Sequence, residues 1–170
     1  MKSFALNIFL LVFSGIILLS CAGEDDGIYF NESNDPTPTI SEKFSYSEME
    51  LQILTLVNEH RISLNLSELK TLNIISNVAI GHTSYMIEVG EISHDHFPQR
   101  VQNLIDNAAA KKVAENVAYG YGTAQGVMNG WLNSEGHRAI IENPDYTHFG
   151  ISTASNSEGR NFFTQIFIKK

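Results

Sequence analysis

The chain has a single cysteine, Cys21, among its 170 residues, which excludes an intramolecular disulfide. It also lacks any run of lysines and arginines, and its formal net charge is −8. Nucleic-acid binding depends largely on basic side chains that neutralise phosphates, so this charge balance argues against a nucleic-acid partner. The sequence contains neither an H-E-x-x-H motif nor a G-x-S-x-G nucleophile elbow. Any hydrolytic site would therefore be assembled from separate segments.

The first residues are typical of an export signal. Lys2 precedes an almost wholly apolar stretch over residues 4–19, and about 16 residues is short for a membrane-spanning helix. The stretch ends in Leu-Leu-Ser-Cys at Cys21, which resembles a bacterial lipobox, where the cysteine is lipidated and becomes the first residue. This predicts a lipoprotein signal peptide at 1–20 and membrane anchoring through Cys21. An ordinary secretory signal and an uncleaved anchor are the alternatives.

Residues 21–44 are polar, interrupted by prolines and without periodicity, which predicts a flexible tether. The acidic cluster at 24–26 resembles the surface-export signal of some lipoproteins, and a solvated tether is the alternative interpretation. The remaining residues, 45–170, are enough for one folded domain.

Within 45–170, segments whose apolar residues have helical spacing are followed by segments in which apolar and polar residues alternate, as in a strand. Ser45-x-x-Glu48 matches a capping box at the start of a first helix, and Gly90 is a plausible end of a second. The strand predicted over 161–168 has large apolar side chains on both faces, so we expect a layer on each side of it. Further helices are expected over 98–104 and 123–133, and further strands around 115–119 and 149–153. The pattern predicts an α/β fold, a three-layer α-β-α sandwich.

Three short segments carry most of the chemical information: ISHDHF at 92–97, AENVAYG at 114–120 and GWLNSEGHR at 130–138. They contain His94, Glu115 and His137. Two imidazoles and one carboxylate match the ligand set of a catalytic zinc site. A buried carboxylate that caps backbone amides, and histidines with only structural roles, are the alternatives.

These segments belong to a longer series that resembles a known family. LVNEHR, AIGHTSYM, ISHDHF, AENVAYG, GWLNSEGHR, HFGIS and FFTQIF occur in the order typical of the CAP superfamily, which includes the cysteine-rich secretory, antigen-five and pathogenesis-related proteins. The match is to its bacterial branch of SCP-like extracellular domains and runs from about Leu54 to Phe167. The resemblance implies a sandwich with a central, mainly antiparallel sheet and a cleft lined by His94, Glu115 and His137. It also implies a second glutamate, but Ser134 occupies that position and Glu135 comes one residue later.

Three further residues are expected to support this cleft. His82 lies on the apolar stripe of the second helix, where a satisfied core histidine is the usual interpretation and support of the cleft the alternative. Ser134 is a good N-cap for a helix that begins just before His137, and the positive helix end would keep that imidazole neutral. Arg138 is expected to form an ion pair or to bind carbonyl groups. His96 is interpreted as a bystander or a helix-start residue.

Two functions remain open from the sequence. The first is a cell-envelope lipoprotein whose His/Glu-lined cleft binds a small apolar ligand, such as a lipid, or an envelope component. The alternative is a zinc-dependent hydrolase that uses His94, Glu115 and His137, with zinc as its cofactor. Either protein would be exported and anchored by lipid to the outer membrane or cell envelope, with surface exposure as a further alternative. A purely structural role in the envelope is the remaining interpretation.

Overall fold

The computed structural model describes residues 45–170. The predicted signal peptide at 1–20 and the predicted tether at 21–44, including Cys21, lie outside these residues. In the described part of the chain, no helix is both long and apolar enough to cross a membrane.

Helices and strands alternate along the domain as the sequence pattern predicts. In chain order they are α1 (Glu48–Ser63), β1 (Lys70–Thr71), α2 (Asn73–Val89), α3 (Phe97–Ala108), β2 (Lys112–Tyr119), α4 (Ala124–Asn133), α5 (Glu135–Ile141), β3 (His148–Ser155) and β4 (Asn161–Lys169). Within 45–170 the strands form a four-stranded sheet of order β1-β3-β4-β2. β4 pairs antiparallel with both β2 and β3, and the two-residue β1 runs parallel to β3. The predicted central, mainly antiparallel sheet is confirmed.

The central strand β4 is buried on both faces, which confirms the three-layer arrangement. Phe163 and Phe167 belong to one core cluster together with side chains of α1, α4 and α5. Ile166 and Ile168 point the other way and pack with α2 and α3. Because side chains alternate along a strand, the same rule places neighbouring residues of β2 in different layers. Val117 packs with Met86 of α2, whereas Ala118 packs in the cluster of α1 and α4.

The start of α1 differs from the prediction by two residues. The capping box is formed by Ser47 and Glu50, not by Ser45 and Glu48. The Glu50 carboxylate accepts hydrogen bonds from the Ser47 backbone N–H at 2.8 Å and from the Thr153 backbone N–H at 2.7 Å. Glu50 therefore caps the helix and also fastens it to β3. This tertiary contact selects one of two similar sequence patterns.

α2 lies tightly against the sheet. It ends at Gly90, which has a left-handed φ of 76°, as the sequence predicts. At its first turn, β3 approaches so closely that a Cβ added to Gly150 would lie 2.5 Å from the Ser76 backbone nitrogen. α3 begins at Phe97 and continues to Ala108, beyond the predicted end. It is preceded by His96, a helix-start residue as one interpretation of the sequence has it.

Candidate functional site

Glu115 is the buried centre of the candidate site. It lies on β2, an edge strand of the sheet, and its side chain is 1% exposed. Alternation along β2 turns it toward the layer of α2 and α3, on the same side as Val117. A carboxylate in such a position is stable only when it is paired and hydrogen-bonded.

Arg100 of α3 supplies that partner. Its Nε donates to Glu115 Oε2 at 2.7 Å and its Nη2 donates to Glu115 Oε1 at 2.7 Å. Its Nη1 donates to the Asp95 carbonyl at 2.6 Å, which joins the ion pair to the loop before α3. This bidentate geometry is the strongest form of arginine–carboxylate contact. Arg100 was not predicted from the sequence as a site residue, although its four-residue spacing from Leu104 placed it on the inner face of α3.

His94 makes a third contact with the same carboxylate. Its Nδ1 lies 2.8 Å from Glu115 Oε1. Since a carboxylate only accepts hydrogen bonds, Nδ1 carries a proton in this contact. The His94 side chain is 52% exposed, so it connects the buried ion pair to solvent.

His82 of α2 lies behind this contact. Its Nε2 is 2.7 Å from the Ser93 carbonyl and therefore donates to it, and the same atom is 3.7 Å from Glu115 Oε1. Burial lowers the pKa of His82, because the charged ring would lose its hydration. His82 is both a satisfied core histidine and the residue that holds the loop carrying His94.

His137 approaches β2 from the opposite layer. Its backbone carbonyl accepts a hydrogen bond from Asn116 Nδ2 at 3.3 Å, and Asn116 faces away from Glu115 because the two are adjacent on a strand. Burial lowers the pKa of His137, and the charge of His94 lowers it further. The lowered pKa agrees with the neutral His137 ring that is expected from the sequence. Its physical causes are burial and a neighbouring imidazole, whereas the sequence pointed to the helix end.

The turn between α4 and α5 confirms the predicted N-cap position of Ser134 but not a capping hydrogen bond from its side chain. Ser134 occupies the N-cap position of α5, but its hydroxyl makes no capping hydrogen bond. Its backbone serves both helices, because its N–H donates to the Trp131 carbonyl at 3.2 Å and its carbonyl accepts from the Arg138 N–H at 2.8 Å. The Arg138 side chain donates to the Leu132 carbonyl at 3.0 Å, one of the two expected roles. Glu135 is exposed in the first turn of α5.

The donor set does not fit a zinc ion. Both oxygens of Glu115 accept hydrogen bonds from Arg100, so a metal ion at this carboxylate would compete with the guanidinium. His94 directs Nδ1 at that carboxylate, and the backbone of His137 lies in the other layer. Among residues 45–170, no three His, Cys, Asp or Glu side chains are grouped closely enough to hold a metal ion. The arrangement gives no support to a zinc hydrolase.

A groove of about 620 Å³ opens beside the ion pair, between α2 and α3. His82 and Arg100 form part of its lining, so the residues that hold Glu115 also shape the groove. Tyr85 and His96 lie at the same end, with their rings edge to face at 5.1 Å. The remaining lining residues are Ile74, Asn77, Val78, Gly81, Gln99, Asn103 and Asn107. Apart from His82, none of the lining residues was predicted from the sequence to belong to a site.

The order of the motifs, the sandwich and the buried glutamate agree with one family. The family model described as "CAP: Cysteine-rich secretory protein family" matches residues 54–167. The chain belongs to the CAP family. The resemblance predicted over Leu54 to Phe167 is thereby confirmed.

Several relatives of this CAP chain are bacterial. The uncharacterized membrane protein YlbC of Bacillus subtilis is 33% identical over 150 residues, which cover 84% of this chain and 41% of YlbC. An extracellular protein containing a SCP domain from Bacillus anthracis has a TM-score of 0.63 and 32% identity, over 71% of this chain and 40% of that one. An outer surface protein from Borrelia burgdorferi has a TM-score of 0.63 and 25% identity, over 69% of this chain and 90% of that one. The chain thus spans less than half the length of YlbC.

Proposed function

We propose that this CAP chain is an exported protein of the cell envelope that binds a ligand in the groove between α2 and α3. The names of its relatives support export, since they describe an extracellular protein, an outer surface protein and a membrane protein. The apolar stretch over 4–19 and the lipobox-like motif at Cys21 add a signal peptide and lipid anchoring to the proposal.

The groove itself is the observation that carries ligand binding. Its volume of about 620 Å³ lies within the range of about 300–1,000 Å³ that is usual for ligand pockets. Its lining combines apolar side chains with polar groups that can orient a ligand. Arg100 and His82 belong to the lining, and the ion pair with Glu115 holds the Arg100 side chain in position. In this proposal the ligand is a small apolar molecule or an envelope component.

Ligand retention is tested by native mass spectrometry of the full chain purified from its own membranes. We expect a bound mass in the wild type and none in Gly81→Leu. A Cβ at Gly81 meets no atom within 4 Å, so the leucine fits on the helix surface and fills the groove. Gly136→Leu on α5 is the matched control, since a Cβ there also meets nothing within 4 Å. Equal ligand content in all three proteins, or none in the wild type, would refute the proposal.

Anchoring is tested separately by Cys21→Ser. We expect the wild type to fractionate with membranes and to carry an acyl mass on the cysteine. The variant should lose both properties. An unmodified thiol on membrane-bound wild type would contradict lipid anchoring and leave the groove proposal unaffected.

A further inference from the structure

The two walls of the groove differ in chemistry. On α2 the wall is apolar at Ile74, Val78 and Tyr85 but also includes Asn77 and His82, and it has a gap at Gly81, where a Cβ would meet nothing within 4 Å. On α3 the wall carries carboxamides at Gln99, Asn103 and Asn107. The helices run antiparallel, since Tyr85 contacts His96 at one end and Ile75 packs with Leu104 and Ala108 toward the other. A ligand in this groove would therefore have an apolar side and a hydrogen-bonding side.

The spacing of the carboxamides matches an extended polypeptide. Residues four apart on a helix are separated by about 6.0 Å along its axis. Two residues of an extended or polyproline chain span about 6.2–6.6 Å. A carboxamide has both a donor and an acceptor, as a peptide unit has. Gln99, Asn103 and Asn107 could thus meet alternate peptide units, although Asn107 Nδ2 also donates to the Asn103 carbonyl at 3.0 Å.

The charges and the aromatic ring disfavour other ligands. Glu115 compensates the charge of Arg100, and among the described residues that line the groove there is no carboxylate. The Tyr85 ring already stacks on His82 at 5.9 Å and meets His96 edge to face, so one of its faces is occupied within the protein. A simple hydrocarbon chain would offer no hydrogen bond to the carboxamide wall and would displace water from any carboxamide that it covers.

We propose that the groove between α2 and α3 binds an extended, uncharged segment of a partner polypeptide, with peptide units paired to the carboxamides of α3 and alternate side chains on α2. The groove runs from Ile74 to Tyr85, about 16 Å along α2, which accommodates about five extended residues. The notch at Gly81 receives one of these side chains. This inference rests on the proposed function and names the class of its ligand.

The test begins with a phage library of linear heptapeptides selected on the immobilised full chain. Binding of the most enriched peptide is then measured by fluorescence anisotropy. We expect Gly81→Leu to abolish binding and Asn103→Leu to weaken it at least about fivefold, since the substitution removes hydrogen bonds to the peptide. Gln102→Leu is the matched control on the same helix, because Gln102 lies outside the groove lining and donates to Asp106. Gly136→Leu is the control for the glycine.

Backbone recognition has a signature of its own. N-methylation of the bound peptide should weaken binding at every second position and have little effect at the positions between. Equal tolerance at all positions would overturn the proposal, as would a selection without an enriched sequence. Tetra-N-acetylchitotetraose and palmitate are the probes for the other classes. One outcome separates the two proposals: the wild type retains a ligand, Gly81→Leu does not, and only one of these probes binds. In that case the ligand is not a peptide, and the proposed function stands. If no ligand is retained and no probe binds, both fail.

Discussion

Replacing Arg100 by methionine tests whether the buried ion pair supports the candidate site. Arg100 is 8% exposed and Glu115 is 5% exposed, so the substitution leaves a carboxylate buried without its cation. Removal of one partner from such a pair costs about 3–5 kcal/mol. The expected loss of unfolding free energy is therefore about 3–5 kcal/mol, measured by urea denaturation of the full chain at pH 7 and followed by far-ultraviolet circular dichroism.

The double variant Arg100→Met/Glu115→Gln separates loss of the pair from loss of packing. Because the second substitution removes the stranded charge, the two effects should be non-additive by about 2 kcal/mol. Arg160→Met is the control, since Arg160 and Glu158 form an exposed pair at 3.7 Å with side chains 59% and 72% exposed. Exposed pairs contribute little. If Arg100→Met destabilises no more than this control, or if the two site substitutions are additive, the interpretation of the ion pair as a structural support is refuted.

Three further predictions concern packing and pH. Gly150→Ala should destabilise the domain by about 1–3 kcal/mol in urea, because its Cβ meets backbone of α2 at 2.5 Å; an unchanged midpoint would disprove the close contact. Trp131→Phe should lower the free energy of unfolding by about 1–3 kcal/mol in the same assay, since the buried indole donates to the Val117 carbonyl at 3.2 Å. An unchanged free energy would show that water replaces the lost hydrogen bond. The lowered pKa values of His82 and His137 mean that the unfolded chain binds more protons, so stability should fall as pH decreases below about 6.5. His82→Gln should flatten this decline in thermal unfolding measured from pH 7.5 to 5, and an unchanged slope would contradict the assignment.

Much of the fold followed from local patterns. The apolar side chains on both faces of β4 predicted a layer on each side of the sheet, and that layering is observed. Gly90 ended α2 as predicted, because a left-handed residue at a helix end is a local property. The start of α1 could not be predicted from local pattern, because Ser45 and Ser47 each stand three residues before a glutamate, as a capping box requires. The contact of Glu50 with β3 decides between them.

The candidate site was harder to predict because it depends on which layer each residue enters. Chain order placed His94, Glu115 and His137 in one series but did not show that the backbone of His137 is bonded to Asn116, on the other side of an edge strand. Arg100 was missed for a related reason. Its partner lies 15 residues away on β2, and only the packing of α3 over that strand brings the guanidinium to the carboxylate.

The pairing of Arg100 with Glu115 also neutralises the charge of an arginine that lines the groove. The chain carries a net charge of −8, and charges on the solvated surface are screened by salt, whereas a compensated pair below the surface is screened much less. Salt screening therefore limits how much a change in surface charge alters the electric field that a ligand meets in the groove. Selection there is left to shape and hydrogen bonding.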